Sequence, residues 1–249
     1  MLKLFLASVM LSASLLAGEI SVAVAANLSD VIEVFKAEFA KTNPNTKVNT
    51  VLGASGKFTT QIKAGAPFDV FLSADMGFPE ALYMEKIAVT KPVVYASGAL
   101  AMMSTRGLDL SKGISIIADT KVEKIALANP KTAPYGAAAI EAFKNAKLYE
   151  KVELKLVYGE SISQAVQFAT TAADIGFVNK SAFFGEKMKH YVEGKDWVNV
   201  DSKLYTPIAQ GIVLLKQAEN NAEAKAFYDF ILSKKAQQTF KDFGYLVNE

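Results

Sequence analysis

The chain has 249 residues, with 27 lysine and arginine side chains, 25 aspartate and glutamate side chains and 51% hydrophobic residues. This near-neutral, globular composition excludes collagen-like and disordered chains and offers no basic surface for nucleic acid. The chain has no cysteine and one histidine, His190. Thiol nucleophiles, disulfides and zinc–thiolate sites are therefore excluded, and most imidazole chemistry with them. We expect no nucleic-acid partner, no cofactor and no resident metal.

Residues 1–17 read MLKLFLASVMLSASLLA, an early lysine followed by a short apolar run and small residues. The pattern is typical of a secretory signal peptide cleaved after Ala17. Leu15, the third residue before this cleavage point, is larger than the small residue usual there, so the predicted boundary is open by a few residues. No later stretch reaches about 18 consecutive apolar residues, so we expect no membrane span in the mature chain. We predict an exported, periplasmic monomer.

Strand and helix patterns alternate from Glu19 onward, which indicates a parallel sheet covered by helices. Three strand–helix units are predicted before Lys91; they are EISVAVA with NLSDVIEVFKAEFAK, VNTVLG with SGKFTTQIKAG, and FDVFLSA with a helix ending near Glu85.

A second set of strands and helices follows Pro92. Its predicted strands are VVYASGALAMMST, KIALAN, LKLVYG and DIGFV, and its helices cover 135–146, 161–171 and 181–187. The strand IAQGIVLL and a long helical segment, 222–244, end the chain.

The two sets predict an α/β protein of two lobes, each a mostly parallel sheet flanked by helices. We assign residues 18–95 plus 208–249 to the first lobe and residues 96–207 to the second. Crossover strands at 94–98 and 204–208 are expected to join them.

Small, hydroxyl and amide residues cluster where predicted strands give way to helices. Ligands bind beyond the carboxyl ends of such strands, where helix N-termini present unpaired N–H groups. Several of these ends facing one cleft would bind a small anion with uncharged donors. The ends are Ala25-Ala26-Asn27, Gly53-Ala54-Ser55-Gly56, Ala133-Pro134-Tyr135-Gly136, Gly159-Glu160-Ser161-Ile162-Ser163 and Val178-Asn179-Lys180.

A structural alternative applies to the same residues. Asn27, Ser55, Ser161 and Asn179 are all residue types that cap helices, and such a role needs no ligand. Asp30 and Asp75 are also expected to be helix caps whose side chains point away from a bound anion, because a carboxylate next to the anion would repel it.

The chain resembles the periplasmic molybdate-binding proteins of ABC importers, the ModA family. The resemblance covers the mature chain, and the block at 61–75 is its most specific part. It rests on blocks in the family's order: A-N-L-S-D, G-A-S-G, Q-I-K-A-G-A-P-F-D-V-F-L-S-A-D, N-P-K-T-A-P-Y-G and A-F-Y-D-F-I-L…F-K-D-F-G-Y.

This resemblance implies a type II periplasmic-binding-protein fold with two crossover strands. It also implies capture of molybdate and usually tungstate between the lobes, followed by delivery to a membrane permease driven by an ATPase.

The resemblance also implies five ligand residues. Ser55 matches a hydroxyl donor of the family, and Tyr135 and Ile162 match positions that contribute a backbone N–H. Asn27 stands where the family usually has a serine, and Asn179 where many members have a tyrosine. Two amides thus replace hydroxyls, which leaves open the preference between molybdate and tungstate.

Two other functions remain as alternatives, a binding protein for another small oxyanion and an enzyme of the same fold. The enzyme is disfavoured, because the chain lacks G-x-S-x-G, phosphate-loop and H-E-x-x-H motifs and Ser55 has no evident base. An organic-anion binder would normally use arginine, and Arg106, in a turn-like stretch, is the single one.

Overall fold

The structure is a computed structural model that describes residues 18–247. The predicted signal peptide, residues 1–17, lies outside the described residues. The strands are β1 (Gly18–Ala25), β2 (Thr46–Gly53), β3 (Val70–Leu72), β4 (Val93–Gly98), β5 (Leu100–Met103), β6 (Ile125–Ala128), β7 (Leu156–Gly159), β8 (Ile175–Asn179), β9 (Trp197–Asn199) and β10 (Ile208–Leu214).

The α-helices are α1 (Val31–Ala40), α2 (Ser55–Lys63), α3 (Gly77–Met84), α4 (Pro134–Asn145), α5 (Tyr149–Val152), α6 (Ile162–Thr171), α7 (Ala222–Ile231) and α8 (Lys234–Asp242). Short 3₁₀ helices include Ala26–Leu28, directly after β1, and Lys180–Phe184, directly after β8.

The strands form two sheets of five. The first has the order β2-β1-β3-β10-β4, and β10 is antiparallel to both of its neighbours. The second has the order β7-β6-β8-β5-β9, and there β5 is the reversed strand. Four strands of each sheet therefore run in one direction, which confirms the predicted fold class of two mostly parallel sheets flanked by helices.

The chain passes from the first sheet to the second at Ala99 and returns through residues 205–207. The single strand predicted at 93–105 is therefore two strands, which belong to different sheets. The two passages touch, because Tyr205 Oη accepts a hydrogen bond of 3.0 Å from the Leu100 N–H. Ile208 also pairs with Gly98 across β10 and β4. Adjacent connections of this kind are typical of hinges between lobes.

The helical segment predicted at 222–244 consists of two helices, α7 and α8. Ser233 separates them, and its hydroxyl accepts a hydrogen bond of 3.2 Å from the Ala236 N–H as the N-cap of α8. Apolar residues continue at helical spacing across this break, so periodicity alone could not locate it.

Aromatic rings join these terminal helices to α1. Phe35 packs edge-on against Phe240 with 4.7 Å between ring centroids, and Phe39 against Phe227 at 5.2 Å. All four rings are buried. Edge-to-face pairs of this kind add to the hydrophobic gain of burying the rings. The C-terminal helices therefore complete the core of the first sheet.

Replacing Phe240 with alanine tests this packing. The Phe240→Ala variant is expected to lose about 3–5 kcal/mol of unfolding free energy in urea, because a fully buried ring is removed. Leu154→Ala is the control; that side chain is 98% exposed, so its effect should stay within about 0.5 kcal/mol. Equal effects would show that α8 does not support the core.

Candidate anion-binding site

The ends of neighbouring parallel strands lie side by side in both sheets. Ala25 at the end of β1 is in register with Gly53 at the end of β2. In the second sheet Ala128 and Gly159 end β6 and β7 in the same way. The segments that follow these strands are consequently neighbours, and they include the N-termini of α2, α4 and α6.

A small cavity lies among these segments. Its volume is about 10 Å³, close to the least that holds one water molecule, so the groups around it are tightly packed. None of its lining residues carries a charge at neutral pH. They are Ala25, Ala26, Asn27, Gly53, Ser55, Ala74, Ala133, Pro134, Tyr135 and Ile162.

Three helices begin at this cavity. Ser55 is the first residue of α2, Tyr135 the second of α4 and Ile162 the first of α6; the helices have 9, 12 and 10 residues. Their first-turn N–H groups have no acceptor within the helix, and each N-terminus carries the positive end of a helix dipole. Three backbone donors from both sheets thus surround one small space.

Ser55 adds a side-chain donor. It is 1% exposed, and its Oγ accepts a hydrogen bond of 3.0 Å from the Ala74 N–H. Because that bond uses an oxygen lone pair, the hydroxyl hydrogen stays available for an acceptor in the cavity. Ser55 does not cap α2; the N-cap is Ala54, which has no side-chain cap bond.

Tyr135 contributes its backbone, while its side chain serves another purpose. The hydroxyl oxygen accepts a hydrogen bond of 3.2 Å from Gln210 Nε2, and a Cβ on Gly98 would lie 1.9 Å from it. The ring therefore packs against the hinge strand β4. Burial raises the pKa of Tyr135 well above its ordinary value, so the hydroxyl stays protonated at neutral pH.

Asn27 lies inside the 3₁₀ turn Ala26–Leu28 and does not cap a helix. Its Nδ2 donates to Gln210 Oε1 at 2.9 Å and to Tyr245 Oη at 3.1 Å. Its Oδ1 is buried and has no partner among residues 18–247. An unpaired buried acceptor costs about 1–3 kcal/mol, so this amide is held in an unfavourable arrangement.

Asn179 lies outside the small cavity. It lines a neighbouring cavity of about 700 Å³ that also contains Asp30 and Lys187. Its Nδ2 donates to the Asn27 carbonyl at 3.3 Å and to Ser181 Oγ at 2.7 Å. Asn27, Ser55, Tyr135 and Ile162 therefore line the same small cavity. Asn179 does not line it and contacts the Asn27 backbone instead.

The alternative roles as helix caps are resolved residue by residue. Ser161 does cap α6, accepting a bond of 3.4 Å from the Gln164 N–H. Asp75 accepts a bond of 3.2 Å from the Phe78 N–H at the start of α3, as expected. Asp30 is the N-cap residue of α1, as expected, but its side chain makes no cap bond and accepts instead from Ser29 Oγ. Neither carboxylate lines the small cavity.

Sequence reasoning missed a buried polar network behind the cavity. Gln210 is 0% exposed, and its Oε1 lies 2.8 Å from Tyr95 Oη. Tyr245 Oη donates to the Asn27 carbonyl at 2.7 Å. The available signal was a glutamine in the middle of the buried strand run I-A-Q-G-I-V-L, since buried polar side chains need partners.

Contacts across the cleft hold the two sheets together over the cavity. The Gly56 N–H donates to the Thr132 carbonyl at 2.9 Å. Ser163 Oγ donates to the Ala26 carbonyl at 3.1 Å. At the surface, Lys57 Nζ lies 2.6 Å from Glu160 Oε2, and the lysine lowers the pKa of that carboxyl. The structure is therefore closed around the site.

Residues 18–247 contain no group of three or more histidine, cysteine, aspartate or glutamate side chains arranged to hold a metal ion. Within the same range, every helix is too short or too polar to cross a membrane.

Comparisons with known proteins agree with this architecture. A profile of bacterial extracellular solute-binding proteins matches residues 20–246. The molybdate-binding protein ModA of Rhodobacter capsulatus is 41% identical over 232 residues, 92% of this chain and 89% of the relative. ModA of Azotobacter vinelandii is 38% identical over 231 residues, 92% and 90% of the two chains.

A solved structure also matches. The periplasmic molybdate-binding protein of Azotobacter vinelandii superposes with a TM-score of 0.84 at 28% identity, over 92% of this chain and 100% of that one. Two mixed sheets with an uncharged cavity at their strand ends are thus those of a solute-binding protein. The chain belongs to the bacterial extracellular solute-binding protein family, and within it to the ModA group.

Gly136 allows α4 to approach β6, and this approach positions the Tyr135 N–H. A Cβ on Gly136 would lie 2.0 Å from the Ala128 carbonyl oxygen, so Gly136→Ala is expected to lose about 1–3 kcal/mol of unfolding free energy in urea. At Gly77, where a Cβ meets no atom within 4 Å, alanine should be neutral or stabilise by up to about 1 kcal/mol. If both variants were equally stable, α4 would not depend on that contact.

Proposed function

We propose that this chain binds molybdate, and tungstate as well, and delivers it outside the cytoplasm to an ABC permease with its ATPase. The observation that carries the proposal is the convergence of three helix N-termini and the Ser55 hydroxyl on one small cavity without a charged residue. The printed identity of the relatives as molybdate-binding proteins supports the choice of anion.

A lining made of donors selects the ionisation state of the solute. A fully ionised tetrahedral anion accepts hydrogen bonds at every oxygen and donates none, so it pairs with N–H and O–H groups alone. A protonated oxyanion such as phosphate would place one of its O–H groups opposite an N–H or O–H donor of the site. Two donors cannot form a hydrogen bond, so binding of the protonated anion is disfavoured. No countercharge is needed where helix N-termini supply the field.

Size separates oxyanions of equal charge and shape. In a fixed cage, a smaller anion such as sulfate leaves some hydrogen bonds stretched or unmade, at about 1–3 kcal/mol each. Tungstate has the same charge and tetrahedral shape as molybdate and nearly the same size, so we propose that both bind.

We propose four ligand residues, which the lining of the small cavity supports. Ser55 gives its hydroxyl and backbone N–H, and Tyr135 and Ile162 give backbone N–H groups. Asn27 gives its side-chain amide once that amide has turned, because both of its hydrogens are directed at Gln210 and Tyr245 in this structure. Asn179 supports the site by holding the Asn27 carbonyl, since its own amide hydrogens point there and to Ser181.

We propose that the two lobes, built on the first sheet (β1–β4 and β10) and on the second sheet (β5–β9), close over the anion by turning about the paired connections at Ala99 and 205–207. Ser55 lies on the first lobe, whereas Tyr135 and Ile162 lie on the second. The anion would therefore bind one lobe first and draw the donors of the other onto its remaining oxygens. The Lys57–Glu160 ion pair supports this closure from the rim.

The same residues support a periplasmic carrier and not an enzyme. The Ser55 oxygen is bonded to a backbone N–H, and no histidine or carboxylate lines the cavity to activate it. His190 packs against the Tyr191 ring at 4.1 Å between centroids. We propose a monomeric protein that carries its ligand without a cofactor.

A thermal-shift panel tests the proposed function. A ligand that binds the folded protein at 100 times its Kd stabilises it by about 2.7 kcal/mol. Molybdate and tungstate are therefore expected to raise the Tm by several degrees, and sulfate and phosphate by much less. Ferric citrate and amino acids serve as negative controls. An unchanged Tm with molybdate and tungstate would refute the function.

Substitutions at Ser55 test the location of the site. Ser55→Ala should weaken molybdate binding about tenfold in calorimetry, because one hydrogen bond of about 1–2 kcal/mol is lost. Ser55→Asp should abolish binding through repulsion between like charges. Ser202→Asp adds the same charge at an exposed serine and should leave the Kd unchanged. Tight binding by Ser55→Asp would place the site elsewhere.

A further inference from the structure

The Asn27 side-chain amide is oriented so that its NH₂ group is not free to donate to an anion. Both hydrogens of its Nδ2 are directed at Gln210 and Tyr245, while its buried Oδ1 has no partner among residues 18–247. Asn27 lines the small cavity. The side-chain atom that it has left for the cavity is thus an acceptor, whereas an oxyanion requires a donor.

Gln210 holds the Asn27 amide in this orientation. Its Oε1 accepts from Asn27 Nδ2 at 2.9 Å and also lies 2.8 Å from Tyr95 Oη. Tyr95 Oη is in addition 2.9 Å from the Ser73 carbonyl. A tyrosine hydroxyl has one hydrogen, so one of these two oxygen contacts of Tyr95 lacks a hydrogen bond.

Rotating both carboxamides by 180° repairs both defects without repacking, because amide O and NH₂ have nearly the same size. Gln210 Nε2 then donates to Asn27 Oδ1 and to Tyr95 Oη, and the Tyr95 hydroxyl donates to the Ser73 carbonyl. The Tyr135 hydroxyl, now an acceptor at 3.2 Å from Gln210, becomes the donor to Gln210 Oε1.

The rotation also brings Asn27 Nδ2 to the place of the unpartnered oxygen, with its hydrogens directed at the cavity. The rotation costs Tyr245 one hydrogen bond. That hydroxyl donates to the Asn27 carbonyl at 2.7 Å and would lose the hydrogen that Asn27 Nδ2 now gives it. Within this one network the rotation gains hydrogen bonds at Asn27 Oδ1 and Tyr95 and loses one at Tyr245. An anion in the cavity, which accepts a hydrogen bond from Asn27 Nδ2, favours the rotated orientation further.

We propose that Gln210 is a positioning residue for the anion site, which sets whether Asn27 presents its N–H or its C=O to the ligand, and that the two carboxamides turn together when an oxyanion binds. The inference rests on the proposed function. Gln210 touches no ligand in this scheme; it acts through Asn27.

A double-mutant cycle with molybdate tests the coupling. Gln210→Met keeps the length of the side chain but removes its amide, so molybdate affinity in calorimetry should fall at least tenfold. Asn27→Ser supplies a hydroxyl that turns freely and needs no orienting partner. In that background Gln210→Met should cost less than threefold. Gln217→Met, at an exposed glutamine, is the matched control and should leave the Kd unchanged.

Side-chain amide NMR on the unsubstituted chain gives a readout that a purely structural role would not move. The ¹⁵N–¹H side-chain signals of Asn27 and Gln210, assigned by their absence in the two variants, should both shift when molybdate is added. If Gln210→Met lowered molybdate affinity equally in the unsubstituted chain and in Asn27→Ser, the inference would be overturned. Unmoved amide signals in a chain that binds molybdate would also overturn it. Both results would leave the proposed function intact. Absence of binding by the unsubstituted chain would overturn the proposed function as well.

Discussion

The site depends on backbone N–H groups that the helices cannot satisfy themselves. The first turns of α2, α4 and α6 each leave donors without an internal acceptor, and the fold points three of these turns at one small cavity. Each donor is fixed by the path of the chain and not by the rotamer of a flexible side chain. A cage built in this way is rigid, uncharged and nearly independent of which side chains stand at Tyr135 and Ile162.

Close packing around the hinge keeps this cage in place. The Ala128 carbonyl occupies the space that a Cβ on Gly136 would need. The Tyr135 hydroxyl likewise occupies the space that a Cβ on Gly98 would need. Tyr135 thereby links the start of α4 to β4 and, through Gln210, to β10. The strands that connect the two sheets and the groups that surround the cavity therefore belong to one buried network.

Much of the fold was predictable from the sequence, because buried strands and amphipathic helices alternate with the periods that distinguish them. The limits were local. The 93–105 run reads as one strand that crosses between lobes at 94–98, whereas β4 ends at Gly98 and the chain changes sheets at Ala99. An apolar run does not show the residue at which that change occurs. The four residues proposed as ligands that line the small cavity were predictable as candidates because they follow strand ends. The orientation of Asn27 was not, because it depends on Gln210 and Tyr245, which lie 183 and 218 residues away in the chain.

The most direct test of the cage is a crystal structure of the chain with molybdate, with anomalous diffraction used to locate the metal atom. The account predicts one strong peak between the two sheets, with its oxygens within hydrogen-bond distance of the backbone nitrogens of Ser55, Tyr135 and Ile162. A peak in the larger cavity beside Lys187, or one coordinated by lysine side chains at the surface, would contradict it.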